Sequence, residues 1–191
     1  PRKFTKGTKG EEFWMCLQLK TIADIGIIGL PNAGKSTLLS VITSANPKIA
    51  NYKFTTLNPN LGDAIYDDKE ITLADIPGLI EGAHEGIGLG IKFLKHIERC
   101  KILLHMIDVT EENLILSYKQ IRNELKKYSK DLVKKKEIIV FNKVDLIEQK
   151  ELKEKMKSFE VNIKKKINIL SNTDKKLISK LKSTLLGHVF K

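Results

Sequence analysis

Gly29-Leu30-Pro31-Asn32-Ala33-Gly34-Lys35-Ser36 is the stretch on which the fold turns. It matches Gly-x4-Gly-Lys-Ser/Thr in full, follows an apolar run ending at Ile28, and opens a helical pattern at Lys35. Small residues let such a loop wrap a phosphate with its backbone N–H groups pointing inward. A helix N-terminus at the same spot adds its positive end. In that setting Lys35 is expected to reach the β- and γ-phosphates and the Ser36 hydroxyl to ligate Mg²⁺, with Thr37 also expected among the nucleotide-binding residues.

On either side of this loop, apolar runs of strand length alternate with helical stretches. Strands are predicted over Ile22–Ile28, Asn60–Tyr66, Glu70–Ala74, Ile102–Ile107, Glu137–Phe141 and Ile167–Leu170. Helices are predicted over Lys35–Thr43, Leu89–Arg99, Glu148–Lys157 and Asp174–Leu186. Leu114, Tyr118, Ile121, Leu125, Tyr128 and Leu132 form a further helical stripe suited to core packing. Asp67-Asp68-Lys69 reads as a hairpin turn, so one strand runs antiparallel. The class expected is α/β, a P-loop NTPase with a Ras-like G domain: a mostly parallel six-stranded sheet with helices on both faces.

Two further motifs narrow the ligand. Asp75-Ile76-Pro77-Gly78 follows the strand-like run Ile71–Ala74 and lies 39 positions beyond Ser36. Asp75 there suits a carboxylate that holds Mg²⁺, and Gly78 can offer its N–H to a γ-phosphate. Asn142-Lys143-Val144-Asp145 follows the run Ile138–Phe141. The Asp145 carboxylate can accept from guanine N1–H and the N2 amine, a pair that adenine lacks; Asn142 would fix the loop and the Lys143 stem would lie over the base. Phe54-Thr55-Thr56 falls between the first two motifs, where the Thr56 hydroxyl could complete the Mg²⁺ shell only when a γ-phosphate is present. Ser171-Asn172-Thr173 stands where such proteins often carry Ser-Ala beside the base; Asn172 departs from that pattern.

The chain holds 34 basic and 23 acidic residues, a net charge of +11. Polyanions, nucleic acid above all, would be drawn to it. Lysine runs occur at Lys134–Lys136 and Lys164–Lys166, and a lysine-rich composition would give such runs without any contact being made. Cys16 and Cys100 are far apart and lack metal-ligand spacing, which suggests a reducing compartment. No apolar run reaches membrane-spanning length, so a cytoplasmic location is expected. Because the numbering opens at Pro1, a fragment of a longer protein is expected.

Taken together these residues resemble the Obg (CgtA) GTPases, from about Gly10 to Ser171. The likeness rests on Ala23–Gly26 leading into the phosphate loop, on Asn51–Gly62, and above all on Asp75–Gly90 followed by Phe93–Ile97. It implies GTP/GDP and Mg²⁺ as ligands and a role in large ribosomal subunit assembly with that subunit or its rRNA as partner; a monomer is expected. It further implies that residues 1–20 are the tail of an N-terminal Obg-type domain, with Glu11–Lys20 its last strand, and that residues 21–191 form the GTP-binding domain. Lys53 stands where the family often has Pro.

Lys35, Thr56 and Gly78 are the residues expected to carry catalysis. Leu79 follows Gly78 where many small GTPases place a water-orienting glutamine, so intrinsic hydrolysis is expected to be slow. Asn32 resembles the loop asparagine of potassium-activated GTPases, which makes K⁺ a candidate second cation. His84 and Glu85 are weaker candidates for a catalytic role, set in a segment made permissive by Gly82, Gly86, Gly88 and Gly90. An ATPase or kinase would use the same phosphate loop but leaves Asp145 unexplained. A pure RNA-binding module leaves the ordered motifs unexplained.

Overall fold

The computed structural model describes residues 3–5, 7–15, 23–43, 48–49, 60–75 and 98–190. Its centre is strand β1 (Ala23–Ile28), whose sequence ADIGII is buried along nearly its whole length. Near-continuous apolar runs of this kind belong to strands covered on both faces. Around it lie β2 (Lys48–Ile49), β3 (Asn60–Tyr66), β4 (Lys69–Asp75), β5 (Cys100–Asp108), β6 (Lys136–Asn142) and β7 (Ile167–Ile169). The strand order is β2-β3-β4-β1-β5-β6-β7. All six expected strands are present, and the two-residue β2 pairs antiparallel at the edge beyond them.

β4, β1, β5, β6 and β7 run parallel, while β3 returns antiparallel on β4. The β3–β4 connection is the two-residue turn Asp67-Asp68, both in the left-handed region (φ 49° and 56°). That backbone matches the twist of the flanking strands, and aspartate tolerates it better than most residues. The expected hairpin is therefore formed.

Helices α1 (Lys35–Ile42) and α5 (Lys175–Val189) cover one face of the sheet. Leu38, Leu39 and Ile42 of α1 and Ile178, Leu181 and Leu185 of α5 pack there with Ile25, Ile27, Leu73, Leu104 and Val140. On the other face lie α2 (Leu114–Tyr128), α3 (Lys130–Lys134) and α4 (Gln149–Ile163). Leu114 and Tyr118 of α2 meet Phe141 and Phe159, while Ile121 and Leu125 meet Ala23, Ile28 and Leu103. Each such fully buried aliphatic side chain contributes about 1.5–3 kcal/mol.

Three expectations about secondary structure are corrected. The apolar stripe through Leu132 is not one helix: the backbone turns extended at Ser129 (φ −152°, ψ 130°), whose side chain caps α3 by accepting from Asp131 N–H. Leu132 stays buried because α3 resumes on the same face. α4 continues to Ile163, where Lys164 ends it in the left-handed region. The first part of the strand expected over Glu11–Lys20 is absent: residues 11–15 form no strand, and Phe13, Trp14 and Met15 are exposed. Residues 16–20 and most of the helix expected over Leu89–Arg99 lie outside the described residues.

Cys100 is a buried thiol whose pKa is pushed up by that burial to about 12. Among the described residues no helix is long and apolar enough to cross a membrane.

Candidate functional site

The C-terminal ends of the parallel strands face one edge of the sheet, where open α/β folds place their ligands. The β1–α1 loop occupies this edge in a conformation that only its own residues permit. Gly29 has φ 152°, and a Cβ there would lie 2.3 Å from the Met106 carbonyl oxygen. Gly34 has φ 92°, and a Cβ there would lie 2.3 Å from Asn142 Nδ2. Asn32 takes φ 62°, within the reach of asparagine. Gly34 caps α1 with no side-chain hydrogen bond, so the first-turn N–H groups are left for a ligand.

Lys35 Nζ donates back to the carbonyls of Gly29 (3.0 Å) and Leu30 (2.8 Å), which holds the loop curled over its own ammonium group. Burial pulls the Lys35 pKa below its ordinary value, with Asp75 acting against it. Ser36 Oγ donates to Asp75 Oδ2 at 2.5 Å, joining the start of α1 to the end of β4. Asp75 is 1% exposed, and its other oxygen, Oδ1, is buried with no hydrogen-bond partner among the described residues. An unsatisfied buried carboxylate oxygen is costly. A divalent cation, or water bound to one, would satisfy it, so Ser36 and Asp75 fit the metal the sequence implies.

The loop after β6 closes the other side. Asn142, fully buried, donates from Nδ2 to the Ala33 carbonyl at 2.9 Å. Lys143 is left-handed (φ 63°) and pairs through Nζ with Asp108 Oδ2 at 2.5 Å. Asp108 is placed for this by register, since it pairs with Asn142 across β5 and β6. Burial acts to raise the Asp108 pKa, but the Lys143 hydrogen bond and those from the Thr110 N–H and hydroxyl outweigh it and hold the carboxyl below its ordinary value. Asp145 sits exposed in the one-turn 3-10 helix Val144–Leu146. After β7, Ser171 is buried with its hydroxyl bonded to that of Thr173 (2.7 Å). Asn172 Nδ2 donates to the Gly34 carbonyl at 3.2 Å.

These pieces enclose a cleft of about 540 Å³ lined by Asn32, Gly34, Lys35, Ser36, Thr37, Asn142, Lys143, Asp145, Ser171, Asn172 and Thr173. Gly29, Leu30, Pro31 and Ala33 form the rest of the loop behind it, and Leu30, Pro31 and Ala33 also border a small void with Asp108. Phe54, Thr55, Thr56, Ile76, Pro77 and Gly78 lie outside the described residues, as do Leu79, His84 and Glu85. Two residues were not found by sequence reasoning. Thr173 carried no signal beyond its neighbour Ser171. Asp108 carried a faint one, as an aspartate closing an apolar strand one residue before the turn Val109-Thr110.

A family model described as "50S ribosome-binding GTPase" matches residues 24–143. The chain is 67% identical over 189 residues to the GTPase Obg of Pelagibacter ubique (strain HTCC1062), covering 99% of this chain and 58% of that protein. It is 53% identical over 191 residues to the GTPase Obg of Ehrlichia ruminantium (strain Gardel), covering 100% of this chain and 56% of that one. It thus spans little more than half the length of the curated relatives it matches. Among solved structures, a single-residue variant of Aquifex aeolicus Era bound to GDP·AlF4⁻ superposes with a TM-score of 0.64 at 24% identity, covering 87% of this chain and 56% of that one. The cytosolic domain of the T. maritima FeoB iron transporter in a GDP form gives 0.62 at 18% identity, covering 93% and 66%. At such identities these two structures show a shared fold.

Proposed function

The chain belongs to the 50S ribosome-binding GTPase family, in its Obg group, and from that premise we propose that it is a guanine-nucleotide switch domain. It binds GTP and GDP with Mg²⁺ and hydrolyses GTP slowly. Residues 21–191 form the nucleotide-binding unit and residues 1–20 the tail of an N-terminal Obg-type domain. Its output is docking to the large ribosomal subunit during assembly, as a monomer in the cytoplasm. The observation that carries this reading is that Lys35, Ser36 and Asp145 line one cleft, with phosphate-holding groups on one side and a guanine-reading carboxylate on the other.

Within that cleft the residues divide the work. Residues 29–37 hold the phosphates through backbone N–H groups and Lys35, which would exchange its two loop carbonyls for phosphate oxygens. Asn142 and Asn172 keep the loop in shape from behind, and Asp145 reads the base beside Ser171 and the stacked stem of Lys143. Ser36 and Asp75, with Thr56 from its place in the sequence, would hold Mg²⁺, and the ion would supply charge neutralisation for phosphoryl transfer. Gly78 and Thr56 are, from their places in the sequence, the residues that would respond to the γ-phosphate. Leu79 leaves the attacking water without a glutamine, which is why the rate is slow. Asn32, at the lip of the cleft, is the residue through which K⁺ would act; equal hydrolysis rates in KCl and NaCl would remove that part of the reading.

Competition against a fluorescent GDP analogue tests the core claim. GTP and GDP should displace it and ATP should not. Asp145→Asn should lose GDP and gain xanthosine diphosphate, because an amide can donate to the xanthine O2 that replaces the guanine amine. Displacement by ATP at the same concentration as GTP would defeat the assignment.

A further inference from the structure

The pole of the sheet opposite the nucleotide cleft is where the two lysine runs meet. They are far apart in sequence, but Ile139 of β6 pairs with Ile167 of β7, so the residues that lead into these strands arrive side by side. Lys136 opens β6 and Lys166 directly precedes β7. On the next strand, Ile102 pairs with Lys136, which puts Lys101 at the same pole. Adjacent strands are about 4.8 Å apart, so the backbone positions that carry these lysines lie close together at this pole.

Part of this charge is already committed. Lys101 pairs with Asp24 (2.7 Å) and Lys165 with the buried Glu137 (2.5 Å). Lys135 donates to the carbonyls of Glu98 and Cys100. Lys134 pairs with Asp131, but both side chains are largely exposed, where such a pair is worth little. Lys136, Lys164 and Lys166 are exposed and have no carboxylate partner among the described residues; Lys136 only reaches the His188 carbonyl at 3.4 Å. Lys164 is also held left-handed (φ 56°) at the end of α4, a conformation that glycine or asparagine would adopt at lower cost.

We propose that Lys136, Lys164 and Lys166 form a docking edge for the sugar–phosphate backbone of RNA, at the pole of the domain opposite the nucleotide cleft. This deepens the ribosomal part of the function proposed above and rests on it for the choice of RNA. Exposed cations without carboxylate partners, gathered at one pole of the sheet, suit a phosphate backbone, and the net charge of +11 gives the long-range attraction. A membrane surface would call for an apolar helix face beside the cations. Lys136 opens β6, Lys166 precedes β7 and Lys164 ends α4, so no single helix face carries the three cations.

The test is fluorescence anisotropy of a labelled double-stranded RNA hairpin across a KCl series, on the GDP-loaded chain. Wild type is compared with Lys136→Gln/Lys164→Gln/Lys166→Gln. A control of equal charge change, Lys150→Gln/Lys153→Gln/Lys180→Gln, alters exposed lysines away from this pole. The edge variant should bind RNA at least about tenfold more weakly, and its salt slope should be shallower by roughly two to three. The control should keep most of the affinity, and GDP binding should be unchanged in both. Single Lys164→Gln and Lys166→Gln variants should each carry roughly one unit of slope, which guards against a misfolded triple variant. Equal weakening by the control would reduce the effect to net charge and overturn the proposal. So would RNA binding that the edge variant retains, or loss confined to phosphatidylserine vesicles or an acidic peptide. None of these results would bear on nucleotide binding, which the competition assay decides separately.

Discussion

Asn142 donates its side-chain amide to the carbonyl of Ala33 at 2.9 Å, so the loop after β6 and the loop after β1 are joined by one buried hydrogen bond. Asn142→Ala removes the donor and leaves a buried carbonyl unpaired, a loss of about 1–3 kcal/mol in stability. Because the same bond shapes the phosphate loop, GDP affinity should fall by roughly tenfold or more, the equivalent of at least ~1.4 kcal/mol. Urea denaturation and a GDP titration measure the two effects. If stability fell while GDP affinity stayed at the wild-type value, the bond would be structural only.

Asp108 sets the position of Lys143. Charge-assisted hydrogen bonds contribute about 1.5–3 kcal/mol, and the partial exposure of Lys143 puts this one at the lower end. Asp108→Ala should therefore weaken GDP about tenfold, chiefly by speeding dissociation, which stopped-flow release of a fluorescent GDP analogue would show. A release rate equal to wild type would mean that Lys143 holds its place without the aspartate.

The orphaned Oδ1 of Asp75 and the Ser36–Asp75 bond should make nucleotide affinity sensitive to metal. Wild type should bind GDP more tightly in Mg²⁺ than in EDTA. In Ser36→Ala the ratio of the two dissociation constants should move toward one, while the EDTA value changes little. A ratio equal to wild type would place the metal away from Ser36.

Acid stability should track a buried cluster remote from the cleft. Glu137 accepts from His105 Nδ1 (2.9 Å), from the Tyr118 hydroxyl (3.0 Å) and from Lys165, with Arg122 3.7 Å away. Burial alone would raise its pKa; the His105 and Lys165 hydrogen bonds, with the Arg122 charge, pull it down to about 2, against 4.5 for a free glutamate. A depressed carboxyl pKa means that the unfolded chain binds more protons in this window. The stabilisation is complete above pH 4.5 and is lost as pH falls toward 2, by up to about 1.4 kcal/mol per pH unit. His105, whose pKa burial lowers against the pull of Glu137, adds a loss of the same sign beginning near pH 6.5, where an unfolded histidine takes its proton. Glu137→Gln should be less stable at neutral pH by roughly 3 kcal/mol and should show a flatter dependence below pH 4.5. Chemical denaturation at stepped pH reads both, and an unchanged acid slope would clear Glu137 of the effect.

The strands and the phosphate loop were legible in the sequence because burial on both faces leaves an uninterrupted apolar run, and a tight anion-binding turn demands its glycines. Asp145 was legible for its chemistry. Asp108 was not, because its importance comes from a register that sets it beside Asn142 rather than from any local pattern. Asn172 looked like a departure from the usual Ser-Ala; only the fold shows its amide on the Gly34 carbonyl, 138 residues away in sequence. The break at Ser129 escaped notice because Leu132 keeps the helical phase on the far side of it. The convergence of the lysine runs likewise depends on the pairing of β6 with β7.

The antiparallel pairing of β3 with β4 ends on the rung Asn60–Asp75. Residue 59 precedes one of these partners and residue 76 follows the other, so this rung is the last described step of the ladder before the sequences that hold Thr56 and Gly78. A one-residue slip would turn every side chain of the slipped strand to the other face, carrying Asp75 away from Ser36. The Asp67-Asp68 turn fixes that step from the far end of the hairpin. Lineages of this protein should therefore tolerate changes of side chain in the hairpin far more readily than a change in its length by one residue.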